Sequence, residues 1–116
     1  MPPTRRLRWL NEMNAEVTVR EGGDLSVAGA ITIDNVVATV ARGAALFSQE
    51  NQLVDLGGVT EVDSSAVSML LEWQRGTGRR RRQIYFANIP PKLQNLVQLY
   101  GVAELVPLAE ARREPD

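Results

Sequence analysis

The side chains of this sequence that could do chemistry are few. Its 116 residues contain no histidine and no cysteine. That removes the commonest general base, any Ser-His-Asp triad, the usual zinc ligands, thiol nucleophiles and disulfides. What remains is carboxylates, hydroxyls, arginines and a single lysine, Lys92. The carboxylates Asp24, Asp34, Asp55, Glu61 and Asp63 are scattered and lack the spacing of a calcium loop, so no metal site is expected. Nothing clusters to carry acid–base work, and the chain is not expected to be an enzyme. No cofactor is expected either. Gly57-Gly58 and Gly76-x-Gly78 are turn glycines rather than a phosphate loop, because no GxxxxGK[ST] run exists and Lys92 is far from both pairs.

One local signal stands out, the stretch Leu53-Val54-Asp55-Leu56-Gly57-Gly58-Val59-Thr60-Glu61-Val62-Asp63-Ser64-Ser65-Ala66-Val67. A strand leads into a loop, and the loop delivers Asp63-Ser64-Ser65 to the start of a helix. Backbone N–H groups there have no helical partner and carry partial positive charge. Asp63 or Ser64 can serve simply as the helix cap. The same groups would also favour a phosphate. Asp55, at the strand end, can bond loop amides.

The other concentration of charge is Arg79–Arg82. It reads first as a solvated turn whose long stems lie over the core edge, with a phosphate or lipid-headgroup contact as the alternative. The formal net charge is −1, and no aromatic residues are interleaved with the arginines. Nucleic acid is therefore not an expected partner. Trp9 and Trp73 are expected to be packing or interface residues.

These residues need a scaffold. Hydrophobic residues make up 44 % and charged residues 23 %, a globular composition, and the length suits one domain. Val17 and Val19 alternate with Thr18 and Arg20; Gly22-Gly23-Asp24 signals a turn; Leu25, Val27 and Gly29 alternate again, predicting a hairpin. From Asp34 to Glu50 the period changes, placing Ile33, Val36, Val37, Val40, Ala44 and Phe47 on one helical face, with Thr32 or Asp34 as cap. Gln52–Leu56 is a short strand ending at Gly57-Gly58. Ser64–Thr77 is a second helix, with Val67, Leu70 and Leu71 on one face and Met69 and Trp73 beside it, closed by Gly76 and Gly78. Gln83–Ala87 is a strand. Asn88-Ile89-Pro90-Pro91 opens a third helix with Leu93, Leu96, Val97 and Tyr100, stopped by Gly101. Val102–Leu108 is a possible last strand. The order β-β-α-β-α-β-α implies an α/β domain with parallel strand pairs joined by helical crossovers. Residues 1–15 are expected to be an N-terminal extension, 16–108 the domain and 109–116 a disordered tail. No apolar run is long enough to span a membrane and Met1–Arg8 is not followed by a signal-peptide core, so the expected compartment is the cytoplasm.

The run Asp55-Leu56-Gly57-Gly58-Val59 and the Val62-Asp63-Ser64-Ser65 run before an apolar helix resemble STAS domains, the sulfate-transporter and anti-sigma-factor-antagonist modules. Arg82-Gln83-Ile84-Tyr85-Phe86-Ala87-Asn88 and the helix ending Leu99-Tyr100-Gly101-Val102 look like the family's C-terminal half, so the resemblance covers about residues 17–108. It implies a mixed β-sheet with helices packed mainly on one face, and a protein-interaction role centred on Asp63, Ser64 and Ser65. In anti-sigma-factor antagonists a partner kinase phosphorylates the motif hydroxyl; the matching position is Ser65, with Ser64 adjacent. In the MlaB-type STAS subunit of the ABC transporter that maintains outer-membrane lipid asymmetry, a hydroxyl after the aspartate contacts the ATPase subunit; the match is Ser64. Antagonists usually have glycine where Ala66 stands, and transporter subunits often have glycine where Ser65 stands. The short, arginine-rich chain, and an apolar first helix with a loose Gly43, favour the transporter branch. The expected partner is then the ATPase of a phospholipid ABC transporter, with the protein peripheral to the inner membrane through that complex. The alternative partners are an anti-sigma factor and its serine kinase.

Overall fold

A computed structural model describes residues 15–109. The expected N-terminal extension, apart from Ala15, and the expected tail, apart from Ala109, lie outside the described residues, as does Trp9. Ala15 and Ala109 are themselves buried.

Strand β1 (Glu16–Val19) and strand β2 (Leu25–Ile31) form the expected antiparallel hairpin, with Val17 opposite Val27. Gly22 and Gly23 both have positive φ and make the tight turn that side chains would resist. The chain then forms helix α1 (Val36–Leu46), strand β3 (Asn51–Val62), helix α2 (Ser65–Arg79), strand β4 (Gln83–Ala87) and helix α3 (Pro91–Leu99). The sheet order is β1-β2-β3-β4, with β2, β3 and β4 mutually parallel. Because β2, β3 and β4 are neighbours in sequence order, two right-handed crossovers put α1 and α2 on the same face. The two helices touch: the Trp73 indole N–H donates to the Val40 carbonyl at 3.0 Å, and the Phe47 and Trp73 rings meet edge to face at 5.6 Å. The domain is thus a mixed four-stranded sheet with three helices, as expected.

Four expectations change. First, β3 does not stop at Gly57-Gly58 but runs for 12 residues. Gln52, Val54 and Leu56 alternate inward, and then Val59 and Val62 are buried at a spacing of three. Pairing with β2 slips twice, between Ser26 and Ala28 and between Gly29 and Ala30, with the extra residues on β3. Each bulge resets the alternation, so the second half of the strand has no readable period. Gly58 is needed there, since a Cβ would lie 2.9 Å from the Ala28 Cβ.

Second, the buried stripe of α1 is Val36, Thr39 and Gly43, with Val40 and Phe47 partly buried. Ile33, Val37 and Ala44 point outward. Gly43 is not loose: a Cβ there would fall 2.4 Å from Trp73 Cζ2, so the missing side chain is what lets the indole lie against α1. Neither Thr32 nor Asp34 is the cap residue; Asn35 holds that position without a side-chain cap bond, and it ties the loop down instead through its amide to the Ala30 carbonyl at 2.9 Å.

Third, Gly76 and Gly78 do not end α2, which continues to Arg79. The stop is Arg81, at φ 60°. Its N–H bonds the Gly78 carbonyl and that of Arg82 bonds the Thr77 carbonyl, the two bonds of a Schellman closure. Gly101, at φ 70°, makes the same closure on α3 with bonds to Gln98 and Val97, as expected. On α3, however, Leu93 and Val97 carry the burial, Leu96 is only partly covered and Tyr100 is exposed.

Fourth, the last strand shrinks to one parallel bridge between Phe86 and Leu108. Phe86 N–H donates to the Pro107 carbonyl at 2.9 Å, and Pro107 has no N–H to extend the ladder.

Candidate functional site

The sheet delivers the three sequence-selected residues to one corner, at the C-terminal ends of β2 and β3. Val62 pairs with Ile31, and the Asp63 N–H donates to the Ile31 carbonyl. The chain then turns into α2 with Ser64 at its N-cap.

The three side chains do different things. The Asp63 carboxylate is fully used. Its Oδ1 accepts the Ser65 N–H at 2.9 Å and also the Ser65 hydroxyl. Its Oδ2 accepts the Ile33 N–H at 2.9 Å, across 30 positions of sequence. The Ser65 hydroxyl bond, followed by the backbone bonds from Ile33 and Ser65, holds the Asp63 carboxyl below its ordinary value. Capping α2 is therefore the work of Asp63. Ser65 is buried, with 8 % of its surface exposed, and its hydroxyl is committed to Asp63. Ser64 is exposed, and its side chain makes no cap bond. Of the two serines, only Ser64 presents an unused hydroxyl to solvent.

Sequence reasoning missed what stands beside it. By bonding the Ile33 N–H, Asp63 fixes the β2–α1 loop against the start of α2. That loop and the first turn of α1 expose two large apolar side chains, Ile33 at 72 % and Val37 at 80 %. The α1 surface continues as Ala38, Ala41 and Ala45, all exposed, with Arg42 the helix's one charged residue. A surface helix normally turns a polar face outward; this one is apolar nearly all round. The available signal was that helical apolar residues outnumber those one buried stripe can hold.

Asp55 belongs to a separate group. It lies inside β3 and accepts the Gly57 N–H at 2.7 Å, the Asn88 amide at 3.1 Å and an ion pair from Arg20 at 2.8 Å. Burial pushes its carboxyl up, but these bonds outweigh burial and the net shift is downward. Arg79–Arg82 lies at the other end of α2, away from the serines. No cluster of metal-ligating side chains exists among the described residues.

Over residues 14–107 the chain matches the protein family described as Mlab, STAS domain. The chain belongs to the STAS family. STAS domains are protein-interaction domains found in anti-sigma-factor antagonists and transporters, and are generally non-catalytic. Solved STAS structures share the fold. The unphosphorylated anti-sigma factor antagonist SpoIIAA superposes with a TM-score of 0.64 at 12 % identity, covering 88 % of this chain and 99 % of that one. An anti-sigma factor antagonist from Mycobacterium paratuberculosis gives 0.62 at 20 % identity, over 81 % of this chain and 82 % of that one. The murine anion transporter Slc26a9 gives 0.63 at 16 % identity, over 87 % of this chain but 20 % of the transporter. No curated protein sequence matches the chain. Among the described residues, no helix of this STAS domain is long and apolar enough to cross a membrane.

Proposed function

We propose that this STAS domain is a non-catalytic subunit that binds and supports the ATPase of a phospholipid ABC transporter, one that maintains outer-membrane lipid asymmetry, with Ser64 at the contact. It would then be cytoplasmic and peripheral to the inner membrane through the complex. The observation that carries the reading is the pairing of an exposed, unbonded Ser64 hydroxyl with the exposed apolar Ile33 and Val37 in one corner. Contiguous exposed apolar side chains beside a polar group are what a docking surface presents. The match to the family described as Mlab, STAS domain supports the transporter branch.

A second reading is an anti-sigma-factor antagonist switched by serine phosphorylation. The likeness to SpoIIAA and the mycobacterial antagonist supports it. The burial of Ser65 and the exposure of Ser64 favour Ser64 as acceptor, since a kinase must reach the hydroxyl. This departs from the position that resemblance to the antagonists implies, Ser65.

The deciding experiment is affinity purification of the tagged chain from its own cells, beside Ser64→Arg and Ile33→Ser/Val37→Ser variants, with mass spectrometry of the eluate. A copurifying ABC ATPase, retained by the parent and lost from both variants whose thermal melts are unchanged, is the expected result. A serine kinase with phosphate on Ser64 would establish the second reading. Full recovery of a partner by both variants would place the interface elsewhere.

A further inference from the structure

The arginine run has a feature that a solvated turn does not require. A cleft of about 160 Å³ opens between the second half of α1 and the C-terminal half of α2. Its wall is apolar: Val40, Ala44, Phe47 and Trp73. Its mouth carries Arg80 and Arg82, while their neighbours Arg79 and Arg81 do not line it. The left-handed Arg81 makes this selection, because reversing the chain at that residue returns Arg82 toward α1, where its guanidinium donates to the Phe47 carbonyl at 3.4 Å. Arg80 is exposed and its side chain has no ion pair or hydrogen bond among the described residues. Glu72 also lines the cleft, but it is ion-paired to Arg75. The mouth is therefore net positive.

The cleft is smaller than a drug-sized pocket, but an apolar cavity of about 150 Å³ is enough to hold a benzene-sized group, and this one adds convergent charged groups to its apolar wall. The wall would take hydrocarbon, and two guanidinium groups would take one anionic head. We propose that the α1–α2 cleft binds a free amphipathic anion, a short hydrocarbon tail bearing a single anionic head such as a carboxylate, with the tail against Val40, Ala44 and Phe47 and the head between Arg80 and Arg82. The anionic head, at Arg80, would lie about 24 Å along α2 from Ser64 at 1.5 Å per residue, and the proposal is independent of which protein docks at Ser64.

The test is titration of the full chain with sodium octanoate, read by the Trp73 indole N–H resonance in a Trp9→Phe background. Controls are octyl glucoside, which has the tail without the charge, and inorganic phosphate, which has charge without the tail. The variants are Arg80→Gln, Arg82→Gln and Gly76→Leu. Gly76 lines the cleft and a Cβ added there meets no atom within 4 Å, so leucine should obstruct the cleft without disturbing the helix. The expected result is a saturable octanoate shift, weakened at least about tenfold when the arginines are neutralised, as fits loss of a charge-assisted bond, and lost in Gly76→Leu, with neither control reproducing it. Should Arg82→Gln unfold through loss of its bond to Phe47, Arg80→Gln alone carries the comparison. No saturable shift would overturn the proposal. So would equal binding by octyl glucoside, equal binding by phosphate, or undiminished binding by Arg80→Gln.

Discussion

Asp63, Ser64 and Ser65 are consecutive, and the fold gives each a different fate. Asp63 spends both oxygens on the protein, Ser65 spends its hydroxyl on Asp63, and Ser64 spends nothing. Their substitutions should separate accordingly. Asp63→Asn loses the charge that accepts three donors, and should cost about 1–2 kcal/mol at neutral pH, the size of a lost cap or charged hydrogen bond. Because the folded pKa of Asp63 is depressed, its contribution is present above the ordinary carboxylate value of 3.8 and fades as pH falls through the lower folded value. The stability gap between parent and Asp63→Asn should thus be widest at neutral pH and narrow below about pH 3.8. Urea midpoints measured at a series of pH values test it; a gap that stays constant into acid would mean Asp63 acts by shape alone. Ser64→Ala removes no bond and should leave the same midpoints unchanged within about 0.5 kcal/mol. The bonded carboxylate, buried hydroxyl and free hydroxyl could not be told apart from Asp-Ser-Ser, because a short polar run before a helix fixes the presence of a cap but not which side chain supplies it.

At the scale of elements, the two helix ends of α2 and α3 make one closure with different residues. Gly101 adopts its left-handed conformation without a Cβ penalty, whereas Arg81 adopts it at a cost of roughly 1–2 kcal/mol. Arg81→Gly should therefore stabilise the domain by about 1 kcal/mol, after the greater unfolded-state freedom of glycine is set against the relieved strain. A thermal midpoint lowered by Arg81→Gly would show that the arginine side chain makes a compensating contact. Glycine was readable as a stop at 101 and misleading at 76 and 78. Inside α2 those two glycines are simply tolerated, since tertiary packing of Met69, Leu70 and Trp73 holds the helix beyond its weak local preference. The α1 face was misread for a related reason. Periodicity finds an apolar stripe but cannot choose between two when nearly every residue is apolar; the Trp73 ring against Gly43 makes that choice.

The whole molecule packs three helices on one sheet, and its core shows which side chains that arrangement rests on. Leu93 has no exposed surface, while Leu96 on the same helix is only partly covered. Leu93→Ala should cost about 2–5 kcal/mol, the range for a closed core site, and Leu96→Ala clearly less. Equal denaturation midpoints for the two variants would mean that α3 is rotated from the position described. The burial of Gln52 belongs to this scale too: its side chain receives the Ser48 and Gln49 N–H groups and donates to the Gly23 carbonyl at 2.9 Å, joining the hairpin turn to the start of β3. No local pattern marks a glutamine for that role, because its partners come from two distant segments.

The sequence by itself determined the order of elements, the hairpin, the parallel crossovers, the Gly101 stop and the position of Asp63-Ser64-Ser65 at a helix start. Each of these follows from interactions within a few residues: alternation, helical spacing, turn chemistry and capping. The tertiary structure alone decided that β3 runs on through Gly57-Gly58, since its bulges exist only against β2. It alone decided that Ile33 and Val37 face outward, that Asp63 reaches the Ile33 N–H, and that Arg80 and Arg82 rather than their neighbours stand at the cleft. Those outcomes depend on which distant backbone or ring occupies the adjoining space, and local sequence carries no record of that neighbour.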